Sequence, residues 1–113
     1  AYRKEIIMET TTATTPSTHL QPTMIWFALG QIVATPGAID LLERTSSDAL
    51  DFLIRHQQGD WGSVPPEDAE ENLSSIEHGN RILSNYYLNA TERLWIITEA
   101  DRSVTTLLLP DEY

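Results

Sequence analysis

The 113-residue chain is acidic: seventeen Asp and Glu stand against seven Lys and Arg, a formal net charge of -10, with 41% apolar residues and no cysteine. That length bounds the protein to one domain of ordinary size, about 100–150 residues. No apolar run nears the roughly 20 residues of a membrane helix, and without Cys there is no disulfide, thiolate metal site or thiol nucleophile. The acidic balance argues against a nucleic-acid binder, because phosphate contacts need Lys and Arg.

In chain order, residues 1–23 differ from the rest. The stretch from Thr10 to Pro22 is largely Thr, Ser, Pro and Ala, a composition that buries little and reads as an arm or linker. It lacks the apolar core of a secretory signal, and the expectation is a cytoplasmic protein with no membrane partner. Residues 24–113 read as a single α+β domain. Met24–Leu29 and Gln31–Thr35, parted by Gly30, read as two short extended pieces with a bend at the glycine. Thr35 and Pro36 form a helix-start signal, Thr as N-cap and Pro at the first helical position, for a helix over Pro36–Arg44. Ser46 or Ser47 caps a second helix to about Gln57, whose Leu50, Leu53, Ile54 and Gln57 follow helical spacing and predict a core-facing stripe. Pro65 to Asp68 open a third helix with acids in its first turn; Ala69, Leu73 and Ile76 supply its apolar face, and Gly79 stops it. The segments Arg81–Leu88, Arg93–Glu99 and Ser103–Leu109 are rich in β-branched and aromatic residues with connections of hairpin length. They predict an antiparallel meander with the helices on one face.

Two constellations bear on chemistry. Gly59, Asp60, Trp61 and Gly62 place an aromatic between two glycines, four residues after His56. Trp61 there either stacks a ligand, with Asp60 as a base, or plugs the gap between helices and sheet while Asp60 caps a turn; plugging is the commoner fate of a Trp. In the meander, Glu99, Asp101 and Arg102 surround a hairpin turn, and Arg81 lies on the adjoining strand. Two arginines with a glutamate can bind a phosphodiester and take its proton, or can simply close the hairpin as an ion-pair network. The histidines are widely spaced and form no metal-ligand pair. No phosphate-binding glycine loop is present, so neither a metal nor a cofactor is expected.

The acidity is concentrated. Between Asp40 and Glu77 ten acids face only Arg44 and Arg55, and Asp60 to Glu77 contains six acids and no base. Such a run is usually a solvated helical face. It is also a surface suited to a basic partner, whose association long-range attraction would speed.

From Phe27 to the C-terminus the chain resembles a group of small bacterial proteins found on plasmids and integrative elements. The resemblance is carried by Arg55 and His56 followed by Gly59–Gly62, by Glu67, Asp68 and Asn72, and by Arg81, Ser84 and Tyr86. It continues through the long motif from Trp95 to Thr106 and ends with Leu109–Tyr113. Such proteins carry labels such as "plasmid-related protein" or "type I restriction endonuclease subunit M". A methyltransferase needs a cofactor-binding α/β domain for which this chain is too short. The resemblance therefore implies an accessory role on a mobile element. A second likeness, of Asn80–Ser84, Trp95–Ile97 and Asp101–Thr106, is to the C-terminal half of the small microbial ribonuclease barnase. There Arg81 would bind phosphate, but Arg102 stands where such enzymes carry a catalytic histidine, and Arg stays protonated.

Two functions follow as expectations. The first is a binding protein that engages a protein partner through Trp61, Glu67, Asp68, Glu70 and Glu71, with a homodimer through the N-terminal arm left open. The alternative is a small phosphodiester hydrolase using His56, Asp60, Arg81, Glu99 and Arg102.

Overall fold

A computed structural model describes Ile6–Ile7 and residues 25–113. The Thr-rich stretch and the arm-mediated dimer expected of residues 1–23 lie outside the described residues. Ile6–Ile7 (β1) does belong to the sheet. The other elements are β2 (Gln31–Ala34), α1 (Pro36–Arg44), α2 (Ala49–Gln57), α3 (Pro66–His78), β3 (Ile82–Tyr87), β4 (Arg93–Thr98), β5 (Val104–Leu108) and a 3-10 turn at Pro110–Glu112. The fold is α+β, with the sheet in the order β1-β2-β5-β4-β3. The expected meander is present as two antiparallel pairs. β2 joins it parallel to β5, with Gln31 opposite Val104, and β1 runs antiparallel to β2.

Gly30 turns the chain into β2 at φ 67, and a Cβ there would lie 2.3 Å from the carbonyl oxygen of Ser103. The Met24–Leu29 segment contributes no strand among the described residues; it approaches α2 instead. The Trp26 N–H donates to Gln57 O at 2.9 Å, and Gln57 Nε2 donates to Phe27 O at 3.0 Å. Gln57 thus acts through its amide and not as part of an apolar stripe.

The strand period of two sorts the meander into faces. Ile82, Ser84, Tyr86, Leu94, Ile96 and Thr98 point to one face, which α1 and α2 cover except at Ile82, where Phe27, Trp61 and α3 pack. Ala38, Leu41 and Leu42 of α1 and Leu53 of α2 pack there against Tyr86, Leu94, Ile96 and Leu107. Truncating a fully buried leucine such as Leu41 to Ala in a core of this kind costs about 2–5 kcal/mol.

Three local expectations are corrected. Asp48, not Ser46 or Ser47, caps α2, its Oδ1 accepting from Leu50 N–H at 3.0 Å; Ser46 instead sits at φ 54. On α2, Leu53 and His56 are buried, whereas Leu50 is 56% and Ile54 39% exposed. The helix is rotated about a quarter turn from the expected orientation, because its inward face is anchored by His56. On α3, Leu73 is 49% exposed, and Asn72 and Ser75 are the buried positions. This helix lies along the edge of β3, with Ala69 and Ile76 turned as expected toward the core beside Trp61 and Ile82. The Asn72 amide meets the Leu83 backbone there, donating to its O at 2.8 Å and accepting from its N–H at 3.1 Å.

Candidate functional site

His56 is fully buried beneath the sheet's hydroxyl-bearing positions. Its Nδ1 lies 2.6 Å from Ser84 Oγ and its Nε2 2.9 Å from Thr98 Oγ1. Thr98 Oγ1 is 2.8 Å from Thr105 Oγ1, and the Thr105 hydroxyl donates to Leu29 O at 2.7 Å. The order of protons follows from the far end. A carbonyl only accepts, so Thr105 donates to Leu29 and accepts from Thr98. Thr98 then accepts from His56 Nε2–H, and the bare Nδ1 accepts from Ser84. His56 is therefore a neutral Nε2–H tautomer. Burial, with a smaller push from the Arg102 charge, lowers its pKa to about 3. The Ser84–His56 distance is that of a nucleophile and its base. Both side chains, however, are fully buried, so the pair presents no surface to a substrate.

Aromatic rings close over the imidazole. Phe27 stands edge-on to it at 5.1 Å and Trp61 at 6.0 Å, with Phe27 and Trp61 stacked at 6.2 Å. Trp61 is itself buried and packs with Phe27 and Ile82 against Ala69 and Ile76 of α3. Of its two sequence readings, the geometry is that of the plug. The loop geometry explains the bracketing glycine: Gly62 has φ 75, and a Cβ would meet Asn85 O at 2.2 Å. The close approach is needed because residues 61–63 run beside β3. Asn85 N–H donates to Trp61 O at 3.0 Å and Ser63 N–H to Asn85 O at 2.7 Å. Asp60 caps this turn, accepting from Gly62 N–H at 3.1 Å and from Arg55 Nε at 2.7 Å. The Arg55 hydrogen bond, reinforced by the turn N–H, holds its carboxyl below the usual carboxylate range. Arg55 in turn lies over the Tyr86 ring at 4.5 Å.

Arg81, Glu99 and Arg102 do come together at the β4–β5 turn. Arg81 Nε is 3.8 Å from Glu99 Oε1, and its guanidinium donates to the Tyr113 hydroxyl. The Arg102 guanidinium is occupied by backbone. It donates to Asn80 O at 2.7 Å, Ser75 O at 2.8 Å, and Glu99 O and Ala100 O at 3.1 Å each. It thereby joins Gly79 and Asn80 N–H on the Ser75 carbonyl and binds the C-terminal end of α3 to the hairpin. His56 is not among them, being enclosed by Ser84, Thr98, Phe27 and Trp61, and Asp60 belongs to the separate Arg55 pair. Among the described residues no group of three or more His, Asp or Glu is placed to hold a metal ion. No helix among them is long and apolar enough to cross a membrane.

The acids of α3 are disposed differently. Glu67, Asp68, Glu70, Glu71 and Glu77 are all exposed. At 100° per residue, Glu77, Glu70, Glu67 and Glu71 share one arc of about a third of the helix circumference. Among the described residues, no salt bridge involves them; the ion pairs there use Asp40, Asp60, Glu92 and Glu99.

Sequence reasoning passed over Ser84 and Thr98 as partners of His56, and Thr105 as the next link beyond Thr98. Their signal was present in the strand period, since each falls in phase with apolar positions of the core face. Asn72 and Glu112 were also missed as structural clasps, and neither has a local pattern that announces a distant backbone partner.

The chain matches no protein-family model, and searches of curated proteins and of solved structures likewise returned no match.

Proposed function

We propose that the protein is a non-catalytic accessory module that binds a basic protein partner through the outward face of α3. The observation that carries this reading is the arc of Glu67, Glu70, Glu71 and Glu77, exposed and without a cation of the described chain to neutralise it. Asp68 extends the negative surface to the first turn, and the half-exposed Leu73 flanks it with apolar area. Like charges gathered on one helix face repel one another at modest cost, and a basic partner relieves that repulsion while gaining speed of encounter. The placement of this role on a mobile element rests on the family resemblance of the segments 95–106 and 109–113.

The test is affinity capture from host lysate with the wild-type protein and with Glu67→Lys/Glu70→Lys/Glu71→Lys. These positions are exposed, so the fold is expected to persist, as circular dichroism would verify. Basic proteins retained by wild type should be lost with the variant and eluted by about 0.5 M salt, where screening shortens the electrostatic range to a few ångström. Equal retention by both proteins would overturn the proposal.

The hydrolase alternative draws no support from the geometry. Its histidine is enclosed and neutral, and its Arg102 is committed to four carbonyls. Incubation of RNA with wild type and with Arg81→Ala is expected to leave the substrate intact in both cases. Cleavage that depends on Arg81 would reinstate the alternative.

A further inference from the structure

The side of α2 turned away from the core carries two parallel rows of side chains. Leu53 and His56 face inward. At about 100° per residue, Leu50 and Ile54 lie about 40° apart on the outward side, and Asp51 and Arg55 form a second row about 100° further round. Leu50 and Ile54 are exposed, and so are Ile25 and Trp26, which run beside the C-terminal end of the helix. The Trp26 N–H is bonded to Gln57 O, and its ring lies so close to Gly59 that a Cβ there would meet it at 2.8 Å. One exposed apolar residue needs no explanation, but four large ones gathered along one helix mark a contact surface.

The second row has bonding capacity left over. Arg55 gives Nε and Nη2 to Asp60, and its Nη1 has no hydrogen-bond partner among the described residues. Asp51 enters none of the ion pairs among those residues.

Both rows are complementary to themselves when reversed. A two-fold axis that relates two antiparallel helices returns each row to its own copy with the direction inverted. Leu50 then meets Ile54 of the second copy, and Asp51 meets its Arg55. The midpoints of the two pairs lie one residue, about 1.5 Å, apart along the helix, so a single axis serves both. A parallel pair would instead set Leu50 and Ile54 against Asp51 and Arg55, apolar against charged. Antiparallel packing also brings the N-terminus of each helix beside the C-terminus of the other, where the dipoles attract.

We infer that α2 is the contact face of a symmetric homodimer, its two copies packed antiparallel through Leu50, Ile54 and Trp26 and flanked by Asp51–Arg55 ion pairs. The contact uses none of the α3 acids and stands apart from the partner binding proposed above. With one helix and one short segment from each copy, it belongs among interfaces under about 1,200 Å² in total, which are weak ones. The expected Kd is about 10–100 µM.

The experiment is sedimentation of the full chain from about 5 to 500 µM, at about 0.15 M salt, where repulsion between two acidic copies is screened beyond about 8 Å. The mass should rise from monomer toward dimer across that range. Ile54→Lys should stay monomeric throughout, and Asp51→Lys, which sets like charges opposite each other, should raise Kd about tenfold. Leu50→Lys repeats the test at the other end of the apolar row. All three positions are exposed, so the fold should persist, as circular dichroism would verify. Because the chain has no cysteine, single cysteines report the direction of packing. A mixture of Leu50→Cys and Ile54→Cys, mildly oxidised, should give the 50–54 cross-link in excess of chance, since a disulfide needs Cα atoms within about 7 Å.

A monomer at every concentration would overturn the inference. So would a dimer that survives both lysine variants of the apolar row, which would place the contact elsewhere, the N-terminal arm included. A Kd unchanged or lowered by Asp51→Lys would remove the ion pairs, and with them the match to a second copy. A chance or like-with-like ratio of cross-links would show that the helices do not run antiparallel. None of these outcomes bears on the α3 reading, whose lysate test is separate.

Discussion

The side-chain amide of Asn72 pairs with the backbone of Leu83 as a neighbouring strand would, one hydrogen bond given at 2.8 Å and one accepted at 3.1 Å. Beside it, the 61–63 backbone pairs with Asn85. Together they cover the β3 edge, which would otherwise offer free N–H and C=O groups to another chain. Asn72→Asp keeps the shape but replaces the donor with a charged acceptor facing Leu83 O. It should lower stability by about 1–3 kcal/mol, read as a reduced urea midpoint at constant slope. A change below a few tenths of a kcal/mol would mean the edge is held by other contacts.

Glu112 closes the opposite side. Its carboxylate accepts from Gly37 N–H at 3.0 Å and Leu109 N–H at 2.9 Å, and receives the Thr35 hydroxyl. Thr35 Oγ1 accepts from Ala38 N–H at 3.2 Å as the N-cap of α1. A carboxylate at a helix N-terminus meets free N–H groups and the positive end of the dipole. Glu112→Ala should therefore cost about 1–2 kcal/mol, and Glu112→Gln a smaller part of that. Equal midpoints for Glu112→Ala and wild type in thermal unfolding would remove the clasp.

Arg102 combines a left-handed backbone, φ 62, with a side chain engaged by carbonyls. The two contributions separate by substitution. Arg102→Ala loses the side-chain bonds and keeps the strained conformation, whereas Arg102→Gly loses the same bonds and relieves it. Both variants should destabilise, with Gly about 1 kcal/mol less harmful than Ala. If Ala proved the milder change, the backbone there would not be strained.

His56 gives the protein a defined response to acid. Its pKa falls from 6.5 to about 3 on folding, so between those values the unfolded chain holds a proton that the folded chain does not. Stability is then complete above the unfolded value and declines as pH drops from 6.5 toward 3, at up to about 1.4 kcal/mol per pH unit. Lowered carboxyl groups such as Asp60 add to the loss at the acid end. Proton–nitrogen correlation spectra should show one protonated ring nitrogen, Nε2, unchanged from neutral pH to about pH 4. A titration of His56 near pH 6 would contradict the enclosed network.

Much of the fold was legible wherever local chemistry decided it. Thr35 and Pro36 mark the start of α1 through a cap and a fixed φ, and the Pro36–Arg44 range follows. The three meander strands could be read from β-branched runs and short connections. The orientation of α2 could not, because apolar spacing favours Leu50 and Ile54 while the burial of one histidine against two hydroxyls outweighs it. The parallel contact of β2 with β5 has no local trace at all. Of the candidate site, the meeting of Arg81, Glu99 and Arg102 was visible from the meander. The commitment of Arg102 to Ser75 and Asn80 depends on where α3 ends in space, which no spacing in the sequence encodes.

That β2–β5 pairing has a consequence in time. Thr35 and Leu107 are 72 residues apart in sequence, yet Thr35 N–H donates to Leu107 O at 3.0 Å. The β3–β4–β5 hairpins join near neighbours and can form within microseconds. The parallel strand must wait for a long loop to close. The order of assembly expected from these loop lengths runs against the order of the chain, with the C-terminal meander forming first and β2 with α1 docking last. Until β2 docks, β5 has a bare flank, so chains emerging at high concentration have a short interval in which a neighbour's strand competes for the place that β2 will take.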